Sequence, residues 1–109
     1  MTSIRGVGVS GGLGRGTLVR WSEAMQDGLV DTVVLVPDLD ARVAELYEAR
    51  AVLSLNGGIT SHGAVLAREL ELPCVVVSAD TTCLDAMVGL EIEVDGWEGT
   101  ISLPGVDRE

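Results

Sequence analysis

Between Asp31 and Val77 the chain alternates short β-branched runs with stretches of helical spacing. That alternation restricts it to folds in which a sheet is covered by helices. Val33 to Val36, bounded by Asp31 and Pro37, reads as a buried strand. Asp38 or Asp40 then caps a predicted helix through about Arg50, with Val43, Leu46 and Tyr47 on one apolar face. A strand over Ala51 to Leu55 follows. A second helix is predicted from Ser61 or His62 to about Glu71, with Val65, Leu66, Leu70 and Leu72 available for packing and Pro73 ending it. Cys74 to Val77 is the next strand.

Both ends read as glycine-turned β structure. Gly6, Gly8, Gly11, Gly12, Gly14 and Gly16 separate apolar pieces at Val7 to Val9 and Thr17 to Trp21, which predicts two strands joined by a tight turn. After a short helix near Cys83 to Met87, Glu91 to Val94 and Thr100 to Leu103 read as strands around a turn at Asp95 to Gly99. The last residues, 104–109, read as a frayed tail. A chain of 109 residues has room for one core, and with no Phe that core must be built from Val, Leu, Ile and Ala. The expectation is a single layered α/β domain over residues 1–109.

Seven basic against 17 acidic residues give a net charge of −10, which repels nucleic acid and anionic membrane surfaces. The same charge works against capture of a free phosphate ester and favours an anionic group delivered by a partner. No segment approaches the roughly 18 apolar residues of a membrane span, and the start MTSIRGVGVSGG has no signal-peptide core. A soluble, cytoplasmic chain is expected. Cys74 and Cys83 lack CxxC spacing and read as free thiols of a reducing compartment.

Three familiar sites fail on context. Gly6, Gly8 and Gly11 satisfy GxGxxG, but no adequate strand precedes them and no long helix follows. One His and two distant Cys do not make a closed zinc site, and Asp38 and Asp40 read as helix caps, so no metal site is expected. Ser61 and His62 are adjacent at a helix start, where side chains rarely point at one another, and no GxSxG elbow exists to support a triad.

His62, the only histidine, stands apart. It follows the loop Gly57-Gly58-Ile59-Thr60-Ser61 and opens a predicted helix. Gly57 and Gly58 let backbone approach a ligand, Thr60 and Ser61 offer hydroxyls, and Gly63 removes bulk beside the ring. The positive end of a helix favours a dianionic phosphoryl group by about 0.3 to 1 kcal/mol, up to about 2 when partly buried. Hydroxyl and backbone donors must add the rest.

Gly57 to Glu69, GGITSHGAVLARE, followed by Leu72-Pro73-Cys74-Val75-Val76, resembles the mobile phosphohistidine domain of the phosphoenolpyruvate-utilising enzymes. The opening Ile4 to Gly16, the strand Val33 to Pro37 and the closing VDGWEGTI segment are similar to that family too, so the likeness spans nearly the whole chain. Gly63 departs from the Ala or Ser of the best-known members. The resemblance implies a swivelling β/β/α fold. It implies that His62 accepts a phosphoryl group through Nε2, with Gly57, Gly58, Thr60, Ser61 and Gly63 around the phosphate. It also implies an ATP-grasp partner carrying ATP and Mg2+, a second partner holding phosphoenolpyruvate or another acceptor, and no cofactor on this chain. Such a chain would be one component of a dikinase-type phosphotransferase, not a complete enzyme. Two alternatives are a docking or regulatory module whose His62 is never modified, and the small swivelling subunit of an aconitase-like dehydratase. The latter resemblance would call for a GRGSS-like loop, which this sequence lacks.

Overall fold

The computed structural model describes residues 4–38, 43–57, 62–77 and 82–103. It is a small α/β domain built on one sheet of eight strands in the order β1-β8-β7-β3-β4-β5-β6-β2. At its centre β3 (Leu13–Arg20), β4 (Thr32–Val36), β5 (Ala51–Ser54) and β6 (Cys74–Val76) run parallel. Every residue of β4, β5 and β6 is buried, as parallel strands covered on both faces require.

The two-residue strand period divides the core. Val34, Val36, Val52 and Val76 pack with Ala24 of α1 (Trp21–Asp27) and Ala64 and Ala67 of α2 (His62–Glu69). Val33, Leu35, Leu53 and Val75 point the other way. There they meet Leu84 and Met87 of α3 (Thr82–Met87), Ile92 and Val94 of β7 (Glu91–Asp95), and Ile101 of β8 (Thr100–Ser102).

The edge strands β1 (Ile4–Arg5) and β2 (Val7–Ser10) are consecutive in the chain, separated only by Gly6, yet they pair with β8 and β6 at opposite ends of the sheet. The sheet must therefore curl until its edges meet. At this seam the Gly6 N–H donates to the Gly99 carbonyl at 2.7 Å. A Cβ on Gly8 would overlap the Gly96 carbonyl oxygen, and one on Gly96 would overlap that of Ser10. Glycine is needed at both positions because backbone passes directly against backbone.

Three sequence expectations change. The pieces flanking the glycine turn do not pair with each other: β3 has β4 on one side and β7 on the other, so β2 goes to the free edge of β6. Trp21 begins α1 rather than ending a strand. Glu23, three residues past Arg20, accepts a hydrogen bond from the Arg20 N–H at 3.3 Å, half of a capping box, and Gly28 at φ 101° closes the helix. The helix expected from Asp38 or Asp40 to Arg50 is, among the described residues, only a 3-10 turn at Val43–Leu46. The Ala49 N–H closes that turn on the Leu46 carbonyl, and the Arg50 N–H is already bonded to Thr32 of β4, so the chain has straightened into β5 by Arg50. Tyr47 consequently points outward and is 63% exposed. Asp40, the side chain of Val43 and residues 104–109 lie outside the described residues.

The strands at Val33–Val36, Ala51–Leu55, Cys74–Val77, Glu91–Val94 and Thr100–Leu103 are present within a residue or so of their expected ends, as is the short helix before Met87. Cys74 is a free, buried thiol whose pKa burial pushes up from 9.0 to about 12. Since the unfolded thiol ionises first, the contribution of Cys74 to stability is complete below pH 9 and is lost as pH rises from there towards 12. In a Cys83→Ala background, iodoacetamide at pH 8 should leave the native protein unlabelled while labelling it fully in urea. Equal labelling rates in the two states would contradict this burial. The side chain of Cys83 lies outside the described residues.

Candidate functional site

His62 is the first residue of α2, and its side chain is exposed. It stands at the carboxyl ends of the parallel strands, the edge of an open α/β sheet where connecting loops gather and ligands are met. Ser54, the fully buried last residue of β5, shapes the chain leaving that strand. Its hydroxyl donates to the Asn56 carbonyl, and its oxygen accepts from the Asn56 N–H at 3.2 Å. Asn56 Oδ1 then accepts from the Gly57 N–H at 3.0 Å, and Gly57 adopts φ 130°, a conformation L side chains rarely take. Ser54 and Asn56 thus set the turn of the chain as far as Gly57, a role the sequence reading missed. The available signal was the Ser and Asn spacing ahead of glycine, which favours side-chain-closed turns.

The helix behind His62 is fixed at both ends of its length. Its inner face is Gly63, Ala64 and Ala67, all buried, so small side chains bring α2 close to the domain body. Gly63 lies on this buried face, and the exposed residues of the first turn are His62 and Val65. At the far end the Leu72 N–H bonds the Ala67 carbonyl at 2.9 Å and the Glu71 N–H bonds that of Arg68 at 3.2 Å. With Glu71 at φ 56°, this is a Schellman ending placed just ahead of Pro73. Arg68 Nη1 donates to the Val9 carbonyl at 2.7 Å and ties α2 to β2.

Of the other residues picked from sequence, Gly57 is placed as described, while Gly58, Thr60 and Ser61 lie outside the described residues. The same carboxyl edge carries a cavity of about 210 Å³ bordered by Arg20, Trp21, Leu35, Pro37 and Leu55. Arg20 there pairs with Asp85 of α3 at 3.0 Å. Neither the cavity nor that pair was anticipated, because both join segments far apart in sequence. Among the described residues no group of three or more His, Cys, Asp or Glu is placed to hold a metal, and no helix is long and apolar enough to cross a membrane.

Comparison with known proteins decides the family. The model of the PEP-utilising enzyme mobile domain matches residues 29–99, from just before β4 to the turn that follows β7. The chain belongs to the PEP-utilising enzyme mobile domain family. The phosphoenolpyruvate synthase of Pyrococcus furiosus is 34% identical over 90% of this chain. An uncharacterised protein of Mycobacterium tuberculosis is 41% identical over 91% of it, and the pyruvate kinase of Geobacillus stearothermophilus 32% identical over 89%. This mobile-domain chain spans 12% of the length of the first two and 17% of the third.

Among solved structures, a UPF0107 protein studied by solution NMR superposes with a TM-score of 0.70 at 16% identity, covering 93% of this chain and 98% of that one. The holo-form of aconitase X from Thermococcus kodakaraensis gives 0.65 at 15% identity, covering 94% and 98%. At such identities the likeness is one of fold alone.

Proposed function

We propose that this chain is a phosphocarrier unit, phosphorylated on His62 by one partner and discharging to a substrate held by another. The observation that carries the reading is that the only histidine of a PEP-utilising mobile domain stands exposed at the start of α2, after a glycine loop at the carboxyl edge of the sheet. The curled sheet with α1 and α2 on its outer face is read as the swivelling β/β/α body that carries the histidine between sites.

In the first step His62 Nε2 attacks the phosphorus of the donor. The P–N bond forms, and the donor's P–O bond breaks with its electron pair leaving on the departing oxygen. In the second step an acceptor oxygen attacks, and the P–N pair returns to the imidazole. Splitting one transfer into two lets each partner hold only its own substrate. Donor chemistry belongs to an ATP-grasp unit holding ATP and Mg2+, and the acceptor or phosphoenolpyruvate site to a second unit. Gly57, Gly58, Thr60, Ser61 and Gly63 are the residues around the phosphate in this reading. The α2 dipole favours the phosphorylated form by about 0.3 to 1 kcal/mol, and donors in the loop add to it. The free thiol of Cys74 suits a cytoplasmic setting.

The fold likeness to aconitase X favours a second reading, the swivelling piece of a dehydratase. The GGITSHGAVLARE segment and the family match support the carrier over it. A pulse-chase separates them. In the assembled protein, label from ATP or phosphoenolpyruvate should enter this chain and leave it, on addition of unlabelled acceptor, at least as fast as overall turnover. A label that never enters, or that chases more slowly than turnover, rules the carrier out.

A further inference from the structure

The edge of the sheet opposite His62 carries a second concavity. Gly11 and Gly12, which lead into β3, meet Arg68 and Glu71 at the end of α2 and Trp97 of the turn after β7 around a cavity of about 400 Å³. The pyrrole side of the Trp97 indole rests on the Gly11 backbone, where a Cβ would overlap Nε1 and Cδ1, yet the residue is 73% exposed. An aromatic left this open adds little to the core and is the kind of side chain that anchors a partner. Its position is fixed in advance. The Asp95 carboxylate accepts from the N–H groups of Trp97 and Glu98, the Gly99 N–H donates to the Asp95 carbonyl at 2.8 Å, and the Gly96 N–H donates to the Gly12 carbonyl at 2.7 Å. Around the ring stand Glu71 in the cavity wall, Asp95 within the turn and the exposed Glu98, against the guanidinium of Arg68, whose Nη1 donates to the Val9 carbonyl.

We infer that this cavity is a docking site for an arginine side chain presented by a partner protein, its guanidinium stacked on Trp97 and forked onto the Glu71 carboxylate. Arginine fits better than lysine, because its planar group stacks on an indole face while bonding a carboxylate through two N–H groups at once. A chain of net charge −10 draws a basic segment and repels an acidic one, and the carboxylates beside Trp97 repeat that preference locally. The cavity lies at the amino edge of the parallel strands, and the eight residues of α2, roughly 12 Å of helix, separate it from His62. A partner held here leaves the histidine uncovered. The inference therefore stands apart from the carrier reading and survives or fails without it.

The test is an NMR titration of the full 109-residue chain with an N-acetylated, C-amidated Gly-Arg-Gly peptide at physiological ionic strength. The Trp97 indole N–H and the amides of Gly11, Gly12 and Glu71 should shift together along one saturable curve. Trp97→Ala should weaken that binding by about threefold to tenfold, the scale of one partly desolvated cation–π contact, and Glu71→Gln by about threefold or more. Unchanged amide resonances in β4 and β5 show that each variant keeps the fold. The same peptide with lysine in place of arginine should bind about threefold more weakly or worse. Shifts that miss these four residues or spread evenly over the acidic surface, equal binding of the lysine peptide, or a titration that neither variant alters overturns the assignment.

Discussion

His62→Ala should abolish phosphoryl transfer through this chain, lowering turnover of the assembled protein by roughly 10⁴-fold or more, the scale seen when a covalent nucleophile is removed. The side chain is exposed and opens α2 without packing against the core, so stability should change by less than about 0.5 kcal/mol. The separation of the two effects matters. A docking module would tolerate the substitution, and a structural histidine would lose stability along with activity. Retention of more than about a tenth of turnover, with the fold unchanged, would remove His62 from the chemistry.

The second large effect belongs to the seam of the curled sheet. Gly96→Val should cost about 3 kcal/mol or more, read as a fall in the urea midpoint at unchanged slope. A Cβ at position 96 runs into the Ser10 carbonyl, and the facing Gly8 is closed to a side chain by the carbonyl of Gly96 itself. Overpacked cores relieve strain by moving side chains. Here the obstacle on each side is backbone held in strand pairing: Ser10 faces Cys74, and Gly96 donates to the Gly12 carbonyl at 2.7 Å. A loss below about 1 kcal/mol would show that the edges are not closed against each other in this way.

What was legible in the sequence was what local pattern controls. Val33 to Val36 and Cys74 to Val77 are β-branched runs buried on both faces, and a continuous apolar run announces such strands directly. The hairpin around Asp95 was legible too, because the Asp95 carboxylate accepts from the N–H groups of Trp97 and Glu98, both at 3.0 Å, and Gly99 takes φ 76°. What escaped depended on partners distant in the chain. The glycine-dense opening looks like a local hairpin, yet Gly6, Gly8 and Gly96 are seam positions that only the curled sheet explains. The segment after Asp38 has helical spacing, but among the described residues it holds one 3-10 turn, and the Arg50 N–H is bonded to the Thr32 carbonyl as the chain enters β5.

The site shows the same division. His62 at a helix start after glycines could be read from thirteen consecutive letters, and it is the first residue of α2. The inner face of α2 could not: Val65 and Leu70 have the hydrophobicity of core residues, and only the close packing of Gly63, Ala64 and Ala67 shows that they are turned outward. The cavity beside Arg20 and its pair with Asp85 needed the fold as well.

The most direct measurement is fragmentation mass spectrometry of the assembled protein, quenched at alkaline pH during turnover with ATP or phosphoenolpyruvate. A carrier shows one acid-labile phosphoryl group per chain, localised to His62, and none in the His62→Ala variant. An unmodified His62 during active turnover, or the phosphoryl group on any other residue, would contradict the account.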